Sequence, residues 1–232
     1  MKQYVIGDIH GAYRAIIQCF ERSGFDYEQD KLICLGDIVD GYPEVYESVE
    51  ELLKVKTLIY ILGNHDRWSL EWALHGVAPH IWTSQGGLNT IKSYEQHGGK
   101  MSESHITLFD TAALTYVENN KLFVHGGIDP NLPLGKQDIN TLLWDRDLIR
   151  LAKMKGHNRD YKLTSFDDIF VGHTTTQLYS NELKPLHYCE VWGLDTGAGW
   201  SGKLTIMDVD SKEYWQSDVV TDLYPDIKGR GE

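Results

Sequence analysis

The sequence is poor in cysteine and has no long apolar run. Its 232 residues include three cysteines, Cys19, Cys34 and Cys189, which form no CxxC pair, so neither a disulfide framework nor a cysteine-type zinc site is indicated. No apolar segment approaches the ~20 residues that cross a bilayer. The N-terminal residues contain too few apolar side chains for a signal peptide. We therefore expect a cytoplasmic protein with no membrane partner.

Basic residues are scarce relative to acidic ones. The chain has 22 Lys and Arg against 34 Asp and Glu, a formal net charge of −12. Such a surface repels polyanions, which argues against nucleic acid as a partner. The acidic excess has a second interpretation, because some carboxylates can serve as metal ligands. Composition alone does not choose between the two.

Repeats, low-complexity segments and linkers are absent too, so we predict one domain over residues 1–232. Apolar runs at residues 4–6, 32–35 and 57–62 alternate with helical periodicity, which predicts βαβ units and a largely parallel sheet. Residues 66–110 are expected to be mostly helical, with breaks near Gly86-Gly87 and at Gly98-Gly99. Later strands are expected at 114–117, 122–124, 169–171, 191–194, 204–209 and 214–216. Asn119-Asn120, between the first two of these, is expected to form a hairpin turn, because asparagine tolerates positive φ. One helix is expected from Asp138 to Lys155.

Chemically capable residues follow five of these predicted strands. The blocks are Gly7-Asp8-Ile9-His10-Gly11, Gly36-Asp37-Ile38-Val39-Asp40-Gly41, Gly63-Asn64-His65-Asp66, His125-Gly126-Gly127 and Gly172-His173-Thr174. Ligands of α/β sheets bind at the carboxyl ends of strands, where these blocks fall. A nitrogen and oxygen donor set without thiolate suits a hydrolytic Mn, Fe, Zn or Mg centre. The number of donors favours two ions, ~3.5–4 Å apart.

Each block taken alone is unremarkable, since an isolated Gly-Asp or Gly-Asn-His is usually an ordinary turn. Five such blocks in order, each behind an apolar strand, are not expected by coincidence. The histidines outside the blocks are left unassigned; they are His75, His80, His97, His105, His157 and His187.

Together the blocks resemble the signature of the calcineurin-like metallophosphoesterases and, more narrowly, of the PPP serine/threonine phosphatases, above all their compact bacterial and phage members. The similarity spans residues 4–209 and includes Leu143-Trp144-Asp145-Arg146 and Leu194-Asp195-Thr196-Gly197-Ala198. It implies an α/β fold, α+β in some schemes, of two packed mixed β-sheets flanked by helices.

The resemblance also implies metal ligands. Asp8 and His10 would bind a first ion, and Asp37 would bridge it to a second. Asn64, His125 and His173 would complete the second site. The implied cofactors are two divalent ions, with Mn²⁺ favoured and Fe, Zn, Ni or Mg as alternatives. A water bridging two cations has its pKa lowered from ~15.7 towards neutrality, and the resulting hydroxide would attack phosphorus directly.

The remaining implied roles concern the substrate. His65 would act as general acid, a function typically contributing ~10²–10⁴-fold, and Asp40 would orient it and raise its affinity for a proton. Arg146 would hold the phosphate oxygens through its planar fork, and Asn64 would also contact the substrate.

The chain departs from the PPP pattern at one position. Those phosphatases usually have Arg-Gly after the residue that matches Asp40, whereas this chain has Gly41 and then Tyr42. A phosphate-binding guanidinium is therefore missing, which weakens the expected grip on a phosphate dianion. Arg67, directly after the third block, or Arg150 are the candidates to compensate.

We expect the protein to hydrolyse phosphate monoesters, with phosphoserine or phosphothreonine of proteins as the family-implied substrate and small phosphoesters as further partners. One alternative is a dinucleoside polyphosphate hydrolase, because short bacterial members of that class share several of the blocks. The other is a non-catalytic metal-binding scaffold, for which Gly41 is the one supporting feature.

Overall fold

Ten strands form two five-stranded sheets in the computed structural model, which describes residues 1–156 and 161–230. The first sheet has the order β10-β9-β1-β2-β3, and the second has the order β4-β5-β6-β8-β7. The strands are β1 (Gln3–Ile6), β2 (Lys31–Cys34), β3 (Thr57–Tyr60), β4 (Thr115–Glu118), β5 (Lys121–Val124), β6 (Asp168–Val171), β7 (Leu186–Tyr188), β8 (Val191–Gly193), β9 (Thr205–Asp208) and β10 (Tyr214–Gln216).

Each sheet contains three adjacent parallel strands. In the first sheet β1, β2 and β3 run parallel, in a register that aligns Ile6 with Cys34 and Cys34 with Tyr60. In the second sheet β5, β6 and β8 run parallel, and Val124 aligns with Val171. The other strands pair antiparallel with their neighbours: β9 and β10 on one side of the first sheet, and β4 and β7 at the two edges of the second. Parallel strands in register bring their carboxyl ends to one edge, so the loops after them converge.

Helices cover the outer face of each sheet. They are α1 (Tyr13–Ser23), α2 (Val45–Leu53), α3 (Asn64–His75), α4 (His80–Trp82), α5 (Leu88–Gln96), α6 (Glu103–Asp110), α7 (Ile139–Trp144), α8 (Asp147–Lys155) and α9 (Val220–Leu223). Within residues 1–156 and 161–230, no helix is both long and apolar enough to cross a membrane.

Three apolar clusters hold these layers together. The first joins β1 and β2 to α1, α2, α5 and α6, and the second joins β5, β6 and β8 to α7 and α8. The third lies between the two sheets, where Val5 and Ile33 of the first sheet pack with Phe123 and Phe170 of the second. The Phe123 and Phe170 rings stack with centroids 4.9 Å apart. These layers confirm the expected fold of two mixed sheets flanked by helices.

The local expectations are largely confirmed. The turn between β4 and β5 is the predicted one, with Asn119 and Asn120 at φ of 49° and 58°, a conformation that asparagine tolerates. The expected helical middle is broken at Gly86 and again at Gly98, both with positive φ. Strand β7 was not expected. His157, one of the unassigned histidines, lies outside the described residues.

The expectation of one helix from Asp138 to Lys155 is wrong. The chain is extended at Asp145, with ψ of 139°, and α7 and α8 lie on either side. The Asp145 carboxylate accepts a hydrogen bond from the backbone N–H of Leu148 at 2.9 Å, which caps the start of α8. A Cβ at Gly127 would meet this carboxylate at 2.5 Å, so the glycine lets the strand-end loop pack against the break.

Candidate active site

Five loops, those after β1, β2, β3, β5 and β6, meet at the carboxyl ends of the two sheets. They bring together two groups of buried side chains whose potential ligand atoms lie within 4.8 Å of one another. The first group is Asp8, His10 and Asp37, and the second group is Asp37, His125 and His173. Asp37 belongs to both groups, as a carboxylate shared by two cations would.

The His10 ring is oriented by a hydrogen bond that faces away from the carboxylates. Its Nδ1 lies 2.9 Å from the carbonyl oxygen of Val39 and donates to it. Its Nε2 then lies 4.0 Å from Oδ2 of Asp8 and 3.8 Å from Oδ2 of Asp37. Burial lowers the pKa of His10 well below its usual value, so the imidazole is neutral and its Nε2 is available as a donor to a cation.

Asp8 joins the loop after β1 to the loop after β6. Both of its carboxylate oxygens accept the backbone N–H of His173, each at 3.1 Å. Burial, and after it the negative charge of Asp195, raises the pKa of Asp8 well above its usual value. Two carboxylates buried beside each other repel, and a bound cation would relieve that repulsion.

His125 is held between a backbone carbonyl and the second group. Its Nδ1 donates to the Leu35 carbonyl at 2.7 Å, and its Nε2 lies 2.9 Å from Oδ1 of Asn64 and 3.4 Å from Oδ2 of Asp37. Burial alone would lower the pKa of His125, but the charge of Asp37 outweighs it and raises that pKa to about 10. A cation bound here would displace this proton.

Unpaired polar atoms show that the site suits metal ions. Oδ2 of Asp37 and Nε2 of His173 are buried without a hydrogen-bond partner among the described residues. Burial, helped by the positive charge of His125, lowers the pKa of His173 to about 2, so its imidazole is neutral. Buried polar groups are rarely left unpaired unless they have a functional role. A carboxylate oxygen and a neutral imidazole nitrogen facing one another are suitable donors for a divalent ion.

The backbone is strained at the same residues. Eight non-glycine residues of the described chain have positive φ, and half of them belong to the site: His10 (52°), Asp37 (50°), Asp40 (70°) and His173 (59°). Such conformations cost about 1–3 kcal/mol each and cluster at functional sites.

An imidazole and a carboxylate form a close pair beside the two groups. Nδ1 of His65 lies 2.5 Å from Oδ2 of Asp40, and the His65 ring is 5.2 Å from the ring of His10. The indole N–H of Trp82 donates to both oxygens of Asp40, at 3.0 and 2.8 Å. The hydroxyl of Thr90 donates to Oδ1 of Asp40 at 2.6 Å. These donors fix the carboxylate, which in turn fixes the imidazole.

Asp66 joins the loop after β2 to the loop after β3. Its Oδ2 accepts the backbone N–H groups of Asp37 at 2.8 Å and Gly63 at 2.9 Å, and the hydroxyl of Tyr60 at 2.9 Å. Its Oδ1 accepts the N–H of Ile38 at 3.1 Å. Burial raises the pKa of Asp66 to about 6, so the carboxylate is ionised at pH 7, as four donors require.

The three candidate arginines have different surroundings. Arg146 directly precedes α8, and its positive charge is among the smaller causes of the lowered pKa of His173. Arg150 is exposed and pairs with Asp147 at 2.8 Å, a surface ion pair that occupies its guanidinium. Arg67 lies half-buried on α3.

A further arginine comes from the end of the chain. Nη1 of Arg230 lies 3.1 Å from Nε2 of His10 and donates to it.

A family model for the calcineurin-like phosphoesterases matches residues 1–201. The chain belongs to this family. Calcineurin-like phosphoesterases are metal-dependent, and the two buried groups of this member are consistent with their dinuclear site.

Relatives of this phosphoesterase include proteins with names of two kinds. Serine/threonine-protein phosphatase 2 of Salmonella typhimurium is 27% identical over 214 residues, covering 89% of this chain and 92% of that protein. The asymmetrical bis(5'-nucleosyl)-tetraphosphatase PrpE of Bacillus cereus is 28% identical over 231 residues, covering 88% and 89%. A solved structure of a candidate diadenosine tetraphosphatase has a TM-score of 0.69 at 15% identity, covering 93% and 92%, and that likeness concerns the fold alone.

Three residues join this phosphoesterase site without any signal of their own in the sequence. Trp82 and Thr90 lie in the helical middle, where they look like ordinary core residues. Arg230 lies beyond residue 209, where the resemblance to the family ends. For Arg230 the sequence offers one indirect signal, namely Gly41, where the family pattern has an arginine.

Proposed function

We propose that this phosphoesterase hydrolyses phosphate monoesters, and that phosphoserine and phosphothreonine residues of proteins are its substrates. The observation that supports this is the Asp40–His65 pair beside the two groups. A serine or threonine alkoxide is a poor leaving group, so a proton donor at the leaving oxygen is valuable. The leaving nucleotide of a phosphoanhydride carries a phosphate whose second pKa is about 6, and it gains little from such a donor.

The residues that would hold two divalent cations are those of the two groups together with Asn64. Their donor atoms are carboxylate, imidazole and amide, which accept Mn²⁺, our proposed ion, and also Fe, Zn, Ni or Mg. When bound, the two ions would activate a water molecule and neutralise charge on the phosphoryl oxygens.

The protein's own side chains would do the remaining work. His65 would donate a proton to the leaving oxygen, and Asp40 would hold the imidazole in position for that transfer. Arg146 would bind two phosphate oxygens through its guanidinium, assisted by Asn64 and Arg67. Since charge grows on these oxygens during the reaction, a fixed guanidinium would contribute most in the transition state.

The proposal is tested by comparing p-nitrophenyl phosphate, a phosphoserine peptide and diadenosine tetraphosphate with Mn²⁺ present. His65→Asn should lower kcat for the phosphopeptide by ~10²–10⁴-fold. It should lower kcat for p-nitrophenyl phosphate much less, because p-nitrophenolate leaves without protonation. An equal loss on both substrates would contradict the assigned role of His65. A preference of the wild-type protein for the dinucleotide would overturn the proposed substrate.

Asp37→Asn separates an enzyme from a metal-binding scaffold. This variant should lose both metal and activity, because Asp37 is shared by the two groups. His65→Asn should keep its metal, which calorimetric titration with Mn²⁺ would measure. If the wild-type protein binds metal and hydrolyses none of the three substrates, the scaffold is the better hypothesis.

Dinucleoside polyphosphate hydrolysis is the second candidate, favoured by a neighbouring cavity. This cavity has a volume of about 1050 Å³ and is lined by Trp200 and by the basic residues His80, Lys92, Lys228 and Arg230. Basic side chains attract a chain of phosphates, and an exposed indole can stack on a base. Lys92→Ala should raise KM for diadenosine tetraphosphate if this candidate is correct and leave KM for the phosphopeptide unchanged.

A further inference from the structure

The Arg230 side chain passes through a narrow slot beside three glycines. A Cβ built on Gly41 would lie 3.2 Å from Cγ of Arg230, and one on Gly86 would lie 3.4 Å from the same atom. A Cβ on Gly199 would lie 3.0 Å from Cδ of Arg230. The aliphatic part of Arg230 therefore fills the space that a side chain at position 41 would enter.

Several contacts hold Arg230 in this slot. Its backbone N–H donates to the carbonyl of Gly199 at 2.8 Å. Its guanidinium lies 5.1 Å from the centre of the Trp200 ring, a cation–π contact, and Nη2 donates to Oε1 of Gln85 at 3.2 Å. Nη1 donates to Nε2 of His10 at 3.1 Å. Arg230 is thus held at the site, with its positive charge directed at the first group.

One N–H group of the Arg230 guanidinium has no acceptor among the described residues. Its Nε is buried without a hydrogen-bond partner among the described residues. Its contact with His10 is to Nε2, the atom that would bind a cation. Binding of a cation to His10 would therefore remove this acceptor from Arg230. A phosphoryl oxygen is the acceptor that the reaction itself would bring within reach, and arginine binds phosphate oxygens in pairs.

We propose that Arg230 supplies the phosphate-binding guanidinium that position 41 lacks. This inference rests on the proposed function, because it assigns Arg230 to substrate binding at the same site. The guanidinium of Arg230 reaches the site through the space that a side chain at position 41 would otherwise occupy. Arg230 thereby restores the grip on a phosphate dianion that the glycine removed.

The test measures phosphate binding as well as turnover. Arg230→Ala should weaken binding of inorganic phosphate to the Mn²⁺-loaded protein by ~10–100-fold, the range expected for a lost hydrogen bond between charged groups. Calorimetric titration and competitive inhibition would both report it. KM for a phosphopeptide should rise, and Arg230→Lys should recover only part of the loss, since lysine keeps the charge and lacks the fork.

The controls separate this inference from its alternatives. Arg22→Ala removes the same charge from a surface ion pair with Asp218, at the end of α1 that lies away from the site, and should leave phosphate binding unchanged. Unchanged phosphate binding in Arg230→Ala would overturn the inference. So would tighter Mn²⁺ binding with higher activity, which would make Arg230 a plug of the metal site. A wild-type protein that binds no metal and hydrolyses none of the substrates would instead overturn the proposed function.

Discussion

Asp66→Asn should loosen both the fold and the metal site, because one carboxylate joins the loops that carry Asp37 and Asn64. The three donors at Oδ2 would keep an acceptor if the amide oxygen takes that position. The amide nitrogen would then face the N–H of Ile38, which leaves a buried donor without a partner. One such loss costs about 1–3 kcal/mol, a large part of a typical stability of about 5–15 kcal/mol.

Urea denaturation of the metal-free protein measures this cost. With a slope of about 3 kcal/mol per molar, the midpoint of Asp66→Asn should fall by roughly 0.3–1 M. Tyr60→Phe removes one donor and leaves the carboxylate with three, so its cost should be smaller, about 0.5–1.5 kcal/mol. Asp66→Ala leaves all four donors without an acceptor and should prevent stable folding.

Asp30→Asn is the matched control. Asp30 is also buried and joins two segments, accepting the N–H of Lys2 at 2.8 Å and of Asp26 at 3.1 Å, but it precedes β2 and lies at the opposite end of the sheet. It should lose stability of the same order and keep its affinity for Mn²⁺, whereas Asp66→Asn should lose both. The reasoning is refuted if Asp66→Asn binds Mn²⁺ as tightly as Asp30→Asn, or if its urea midpoint does not move.

Three further outcomes are expected. Trp82→Phe removes a hydrogen-bond donor from Asp40 and should lower kcat for a phosphopeptide about 10-fold, with Mn²⁺ affinity unchanged. A hydrogen bond to a charged group contributes about 1.5–3 kcal/mol, and the other donors to Asp40 remain. An unaltered kcat would contradict this expectation. Removal of bound metal by a chelator should lower the calorimetric unfolding temperature by about 5–11 °C. An ion at 100 times its Kd stabilises the folded state by about 2.7 kcal/mol, and each kcal/mol shifts the unfolding temperature by about 2–4 °C. An unchanged unfolding temperature would argue against ions at the site. Gly199→Ala should weaken Mn²⁺ binding, because the added Cβ would clash with the His10 ring. Gly135→Ala is the control and should leave Mn²⁺ binding unchanged, because a Cβ at Gly135 meets nothing within 4 Å. Equal Mn²⁺ affinities of the two variants would count against the placement of His10.

Local patterns were sufficient to predict most strands and the positions of the site residues on them. Apolar runs that end in glycine specify where a strand stops, and a side chain directly after that point falls at the edge of the sheet. The sequence therefore predicts that five side chains lie close together: Asp8, Asp37, Asn64, His125 and His173. The pattern failed over 138–155, because helical periodicity continued through Asp145 while packing against Gly127 and a new cap broke the helix there.

Most of the order of elements, the donor set and the resemblance to the family could be predicted from the sequence, because each depends on short segments of chain. The side chains that surround those donors depend on tertiary packing. Trp82 reaches Asp40 across 42 positions, and Arg230 reaches His10 across 220. Contacts of such separation depend on how whole layers pack, and no local pattern encodes them. The five sequence blocks can therefore be recognised in the chain, whereas the side chains that orient them are identified only in the folded structure.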